Sequence, residues 1–406
     1  MVAHIFAWLL VFAVPWQDMV VLAGVGTVSK LIGVAAVGAT LLHVLSSASL
    51  RRPVSFHWLL LLFFSWVFLS TFWGIAHPLS MERKVNTYLQ LLVMVWVIWE
   101  TTPTRSRLAS LLQAFVLGAY IAAGSTIYNY ASGQATIDYG RFAASGIDPN
   151  DLGMLLALAL PMAWYLASSS SSGFQRWLNR AYFVVGTLAI LLTGSRGALL
   201  AAITALSVIP WTLSQLRRGM RVAAVVILIG AGVTAVAFVP SFVFQRLSTT
   251  GSEIAEGTVS GRLAVWQSGL RVVPARPLHG YGPAGWFPAA GEVWGRVRGS
   301  HSTYLSILVE EGMIGLLLFL SMFVALLTRM RALPTFERRV GLTLLATLAI
   351  VITPLGWDTS KALWLILALL AGWSDVFRGA RPVTSTSPPV RAVRRRPREP
   401  TPATVQ

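Results

Sequence analysis

A chain of 406 residues that is 55% hydrophobic and only 12% charged, with a mean hydropathy of +0.67, lies far from the roughly 25% charged residues of soluble domains. Apolar runs of membrane-spanning length recur from end to end, so composition excludes a soluble enzyme or binding module and leaves an all-α polytopic integral membrane protein. The formal net charge of +17 collects in short segments between those runs, which accounts for it without a nucleic acid partner; with no cysteine, disulfides, thiolate catalysis and cysteine metal sites are excluded too.

The apolar runs predict twelve spans, near 3–16, 19–45, 56–76, 84–99, 108–128, 150–168, 181–193, 196–213, 221–240, 302–328, 338–353 and 360–377. The first has no A-x-A-like cleavage site after it and reads as a retained span. The first, seventh and eighth fall short of the roughly 20 residues a perpendicular helix needs, so they require tilt, a break or shielding by neighbours. At "LLTGSRGALL" the two arms are long for one helix and short for two, and Gly194 and Gly197 flank Arg196 there.

Basic residues set the topology. Arg51 and Arg52, Arg105 and Arg107, Arg176 and Arg180, then Arg217, Arg218 and Arg221 fall on one side of the twelve-span arrangement. Arg329, Arg331, Arg338, Arg339 and the tail "RAVRRRPREP" join them. By the positive-inside rule that side is cytoplasmic, and both termini with it. Arg83, Lys84 and Lys361 run against the trend. A turn at Gly194–Arg196 is needed for the loops on either side of it to agree.

Three segments then face outward: "NYASGQATIDYGRFAASGIDPND", the turn carrying Arg196, and residues 241–300. Within the last, Leu263, Trp266, Leu270 and Val273 at helical spacing predict a short amphipathic helix over 262–273, stopped near Pro274. The "RPLHGYGPAGWF" that follows is too aromatic for a disordered linker. The chain therefore divides into a bundle of nine spans (1–240), an outward loop (241–300), three last spans (301–378) and a disordered basic cytoplasmic tail (379–406) near anionic lipid.

Polar groups in this setting need a reason. Arg196, between two glycines, must find an anion or several carbonyls. Two readings stand: a structural pair with Asp138, Asp148 or Glu292, or a phosphate or pyrophosphate clamp suited to the planar guanidinium fork. Arg141 and Arg262 compete for the same role, ahead of Arg271 and Arg276. In "GSHSTYLSILVEEGMIGLLLFLSM", His301 stands at the mouth of the tenth span and caps a helical stripe of Leu305, Leu308, Gly312 and Gly315. With an ordinary pKa of about 6.5, its imidazole can accept a proton near neutrality. Glu310 lies about 13 Å deeper and almost opposite on an ideal helix, so Glu310 and Glu311 read as structural carboxyls, protonated or bonded to a neighbouring helix. The six histidines, at 4, 43, 57, 77, 279 and 301, show no paired metal spacing.

"HSTYLSILVEEGMIG" fits a pattern of histidine, a small polar residue, nine residues and Gly-x-x-Gly found in bacterial O-antigen ligases, and "TGSRGALL" and "GRLAVWQSGLRVVPARPLHGYGPAGWF" fall in the matching order. Over about residues 50–378 the chain resembles the family of O-antigen ligases, O-antigen polymerases and protein O-oligosaccharyltransferases. The resemblance implies an inverting, membrane-embedded glycosyltransferase of the bacterial inner membrane, needing neither metal nor nucleotide cofactor. It would move a glycan from undecaprenyl diphosphate to lipid A–core at the periplasmic face. It assigns His301 as the catalytic base and Arg196 and Arg262 to the diphosphate, with Arg141 as a third ligand from a variable loop. The chemistry agrees: the leaving diphosphate gains charge that fixed guanidinium groups stabilise, and the attacking hydroxyl must lose a proton. The short basic tail argues against a protein oligosaccharyltransferase, which often carries a further periplasmic region. A transporter or lipid flippase, the alternative from another class, would use Glu310 and Glu311 in a proton path.

Overall fold

The computed structural model describes residues 1–24, 26–135, 140–238, 241, 261–293 and 295–378. The expected tail at 379–406, Asp138, and the first part of the outward loop at 242–260 lie outside the described residues. The chain is an all-α, multi-spanning membrane protein. By length and composition, seven helical stretches among the described residues can cross a bilayer: Val2–Met19, Val28–Ser47, Ser55–Trp73, Arg105–Ala131, Pro149–Ser169, Arg196–Gln215 and Thr303–Met330.

In chain order the helices are α1 (Val2–Ala13), α2 (Val28–Ser47), α3 (Ser55–Leu69), α4 (Pro78–Thr101) and α5 (Arg105–Ala131). They continue with α6 (Pro149–Ser169), α7 (Gly173–Leu192), α8 (Arg196–Leu206), α9 (Val208–Thr212) and α10 (Arg218–Phe238). Past the outward loop come α11 (Arg262–Val272), α12 (Trp286–Ala290), α13 (Thr303–Met330), α14 (Thr335–Val351) and α15 (Lys361–Val376). The other five expected spans coincide with α4, α7, α10, α14 and α15. Of these, α14 and α15 have only 17 and 16 residues, and α4 opens on Glu82, Arg83 and Lys84.

Burial orders the bundle. α6 and α15 are apolar on every side and buried along almost their whole length, as helices enclosed by others must be. Here interdigitation takes over from water exclusion, since lipid tails are as apolar as leucine. Trp164, Trp364 and Trp373 supply much of that packing, and Trp364 sits against Phe63, Phe64, Tyr88 and Phe319. At the ends of α4, α13 and α15 remote from the helix starts, Arg51 stacks on Trp99 at 3.6 Å and pairs with Asp375, which also takes Arg329.

Three local expectations change. The second span starts at Val28 rather than near 19, because a 3₁₀ turn (Val14–Met19) and a tiny hairpin pairing Val21–Leu22 with Gly26–Thr27 come first. Gly24 and Gly26, at φ 75° and 98°, make that turn possible inside an otherwise apolar run. The "LLTGSRGALL" joint, by contrast, is the expected turn between two helices, with Gly194 at φ 56° and Ser195 capping the Ala198 N–H at 3.3 Å. The amphipathic helix α11 exists, but it buries Val265 and Gly269 and leaves Leu270 exposed. The reason is Gly269, which lets the Trp286 ring and Leu305 come so close that a methyl there would meet them at 2.7 and 3.1 Å.

The third change matters most for the site. α13 is not one continuous helix, because Gly312 adopts φ 69°, ψ −170° and breaks it. The loop before α12 fills the break. Tyr281 N–H donates to Val309 O (3.0 Å) and Gly282 N–H to Glu310 O (2.7 Å), while Met313 and Ile314 N–H donate to Pro277 O and Leu278 O (2.9 and 3.2 Å). The backbone groups freed by the break are thus satisfied by "RPLHGYG", as a break at membrane depth requires. The stripe from His301 to Gly315 is therefore not a single helical face.

Candidate active site

α4, α6, α13 and α15 all begin at one end of the bundle, and between their first turns lies a cavity of about 950 Å³. Ser80 and Lys84 of α4, Asp148 at the cap of α6, His301 before α13 and Ser360 at the cap of α15 all line it. The positive ends of four helix dipoles meet there a lining of mixed charge, with Lys84 and Arg262 among the carboxylates of Asp148, Asp151, Glu310 and Asp358. Arg262, first residue of α11, lines the same space.

His301 is held by its neighbours rather than by its ring. Ser302 caps α13 through its hydroxyl (3.4 Å from Leu305 N), and Ser300 Oγ donates to Ser302 O at 3.1 Å. Thr303 bolts the helix start to the 352–357 segment: its N–H reaches Ile352 O (3.0 Å), its hydroxyl donates to Leu355 O (2.7 Å) and accepts from Trp357 N–H (2.8 Å). Between these anchors His301 takes the left-handed region, φ 45°, a conformation of the kind that clusters at functional sites. Desolvation by the cavity walls, and after it the charge of Arg262, hold its pKa below the usual 6.5; Asp148 pulls the other way and Arg298 adds to the depression. At pH 7 the ring is a neutral base next to a cation.

The four expected site residues divide. His301 and Arg262 share the cavity wall; Arg141 and Arg196 do not line it. Arg141 is buried, its Nε donating to Thr193 O (2.8 Å) and its terminal nitrogen to Asn150 Oδ1 (2.9 Å). It ties the turn before Arg196 to Asn150, which does line the cavity. Asp148, a suggested partner of Arg196, caps α6, its carboxylate accepting from Asn150 N–H at 2.7 Å. His279 lies elsewhere, edge-on to Trp73.

Sequence reasoning missed the floor of the site. Lys84 ion-pairs with Glu310 and, at 2.7 Å, with Asp358, which also accepts from the Tyr88 hydroxyl at 3.1 Å. Glu310, Lys84 and Asp358 line the cavity, so Glu310 is on the histidine's side after all. An ideal helix puts it opposite, but His301 precedes the helix start at Thr303 and its φ of 45° takes it off the ideal rotation; the long Glu310 side chain reaches the cavity, and the Trp286 N–H at 3.4 Å holds its other oxygen. The available signal was Lys84 itself, a lysine where the charge rule wants none. Glu311 turns away, accepting from the Ser70 hydroxyl at 2.7 Å, while its backbone oxygen takes the Trp66 indole N–H at 2.9 Å. Asp151 closes one wall by accepting from the Trp357 indole at 2.7 Å. Among the described residues, no three His, Asp or Glu side chains gather as a metal site would need.

Residues 181–320, about a third of the chain, match the O-antigen ligase family (Wzy_C). The match runs from within α7 into α13 and takes in Arg196, Arg262 and His301, but not Arg141. No curated protein matches the chain.

Proposed function

We propose that the protein is an O-antigen ligase of the bacterial inner membrane, transferring a glycan from undecaprenyl diphosphate to a sugar hydroxyl of lipid A–core. The observation that carries this reading is the joint placement of His301 and Arg262 on one polar cavity, within the segment that matches the ligase family. In the proposed step the acceptor oxygen attacks the anomeric carbon as the bond to the diphosphate breaks. The hydroxyl proton goes to the neutral imidazole of His301, and the charge growing on the diphosphate is met by Arg262 and the surrounding helix starts. A single displacement of this kind inverts the anomeric centre. Arg141 acts from behind, fixing the turn before Arg196 and Asn150; Lys84 bridges Glu310 and Asp358 in a rigid floor. Twelve spans with both termini in the cytoplasm put the cavity at the periplasmic face, opposite the basic cluster of Arg51 and Arg329.

The test is reconstitution. Purified protein given a polyprenyl-diphosphate-linked glycan and lipid A–core should form glycosylated lipid A–core without added metal or nucleotide. Chain growth on the carrier lipid would assign a polymerase, and transfer to a protein serine or threonine an oligosaccharyltransferase. Glycan that moves across the bilayer without changing carrier would sink the transferase reading.

A further inference from the structure

Beside the polar cavity lies a second hollow of about 910 Å³, between α2 and α4 and walled mainly by Leu31, Val34, Val37, Val93 and Met94. Its outer edges, including Leu31, Val34 and Leu89, are exposed, so it opens toward the surrounding lipid. Its inner end is polar and shares Gln17, Thr87, Thr359 and Ser360 with the first cavity, so the two spaces adjoin. Along α4 the hollow runs from Thr87 to Val97, about 15 Å at 1.5 Å per residue, roughly half the thickness of a bilayer's hydrocarbon core.

At the junction stands Lys361. Its ammonium donates to Gln17 Oε1 (2.9 Å), Thr27 Oγ1 (3.2 Å) and Ser29 Oγ (2.8 Å), all neutral oxygens. Asp18 acts on it through space, but among the described residues no carboxylate forms an ion pair with it, whereas Lys84 has two. A lysine at the edge of a membrane that is held by neutral oxygens and has no carboxylate in direct contact can take an incoming anionic oxygen. The longest of its three bonds, to Thr27, is the one an anionic oxygen would replace. Lys30, exposed, lines the same end of the hollow.

We infer that this hollow seats the first isoprene units of a prenyl-phosphate lipid, with the lipid's phosphate against Lys361 and its glycan-bearing end projecting into the polar cavity. This rests on the proposed reading of that cavity. Its place argues for the carrier rather than the acceptor: a single cleft between the two helices α2 and α4 suits one hydrocarbon chain, and lipid A has several. The lateral opening gives the chain a path from the bilayer, and the shared residues bring its head to the reacting groups.

The experiment uses the full chain in nanodiscs and a polyprenyl monophosphate carrying a photoreactive group in its second isoprene unit. Label should map to residues 30–37 and 87–97. Lys361→Gln should raise the half-saturating probe concentration roughly tenfold or more, the usual loss for a charge-assisted bond, and Lys361→Arg should restore most of it. Gly33→Leu, whose new side chain enters the hollow with only Leu10 near its Cβ at 3.9 Å, should do the same without touching a charge. The matching prenol without phosphate should bind like Lys361→Gln. Label scattered over the lipid-facing helices, or displaced equally by phosphatidylglycerol, would reduce the hollow to an ordinary lipid contact and overturn the inference. Failure of the two readings is separable. Transfer that survives Lys361→Gln and Gly33→Leu, with the probe labelling elsewhere, removes the groove and leaves the ligase. Groove labelling that depends on Lys361, in a protein that transfers nothing, removes the ligase and leaves the groove.

Discussion

Replacing Gly312 with alanine tests whether the broken α13 is what shapes the site. The residue sits at φ 69°, ψ −170°, a region open essentially to glycine alone and costing other residues about 1–3 kcal/mol. A Cβ there would stand 2.3 Å from Leu278 O and 2.5 Å from His279 N, contacts that backbone cannot relieve by a rotamer change. The loop must then retreat, and the bonds from Tyr281, Gly282, Met313 and Ile314 that stitch it to the break loosen with it. Losing two of those at about 1 kcal/mol each brings the total to about 3–5 kcal/mol. Gly280→Ala should behave alike, since its φ is 66° and its Cβ would meet Glu310 O at 2.4 Å. Gly38→Ala, in a helix with nothing within 4 Å, is the control and should be neutral or slightly stabilising. Thermal unfolding in detergent, followed by tryptophan emission, should show both site variants well below wild type and Gly38→Ala level with it. Transfer should fall even in the fraction of Gly312→Ala that stays folded, because Glu310 and Trp286 are positioned through the loop. A Gly312→Ala protein with wild-type melting and wild-type transfer would refute the interlocked break.

His301→Ala should lower transfer at saturating substrates by roughly 10²–10⁴-fold while donor binding persists, as expected of a positioned base; equal loss of binding would make the histidine a substrate ligand. Because the folded pKa is depressed, the neutral, active imidazole persists below pH 6.5, so the acid limb of the turnover profile should have its midpoint under that value; a midpoint above 7 contradicts the role. Arg262→Ala should cost roughly a hundredfold in turnover, and Arg262→Lys should recover little of it, since an ammonium lacks the bidentate fork; recovery by lysine would show that charge alone suffices. Lys84→Met strands Glu310 and Asp358 together in a buried site and should cost about 3–5 kcal/mol of stability, measured by the same melting assay; a stable Lys84→Met would mean that the floor is protonated or wet. Single cysteines at 279 and 105 in the cysteine-free background should label from opposite faces, and labelling of 279 from the cytoplasm would move the cavity to the wrong side.

Sequence reading reached what a local pattern encodes. Spans are visible because each must carry its own apolar run, and the Gly194–Arg196 turn because charges on either side of it have to agree. His301 and Arg262 stood out as polar residues at helix ends. What stayed hidden depends on partners far along the chain: Lys84 meets Glu310 from 226 positions away, and no spacing rule announces that contact. The geometry of α13 was misread for a related reason. Ideal helical rotation was carried back to His301, which lies before the helix start at Thr303 with φ 45°, and on through Gly312, whose freedom is spent only when another segment, here Pro277–Gly282, arrives to use it. The first of these extrapolations put Glu310 opposite the histidine and made it look structural alone. With the break in place, the adjacent glutamates serve two different neighbours: Glu310 shares the cavity with His301 and is neutralised by Lys84, and Glu311 pins α13 to Ser70 of the short turn after α3. Adjacent positions on one helical turn send one carboxylate to the cavity and the other to the wall behind it, and the glycine that follows them admits the loop whose aromatic residues close the site.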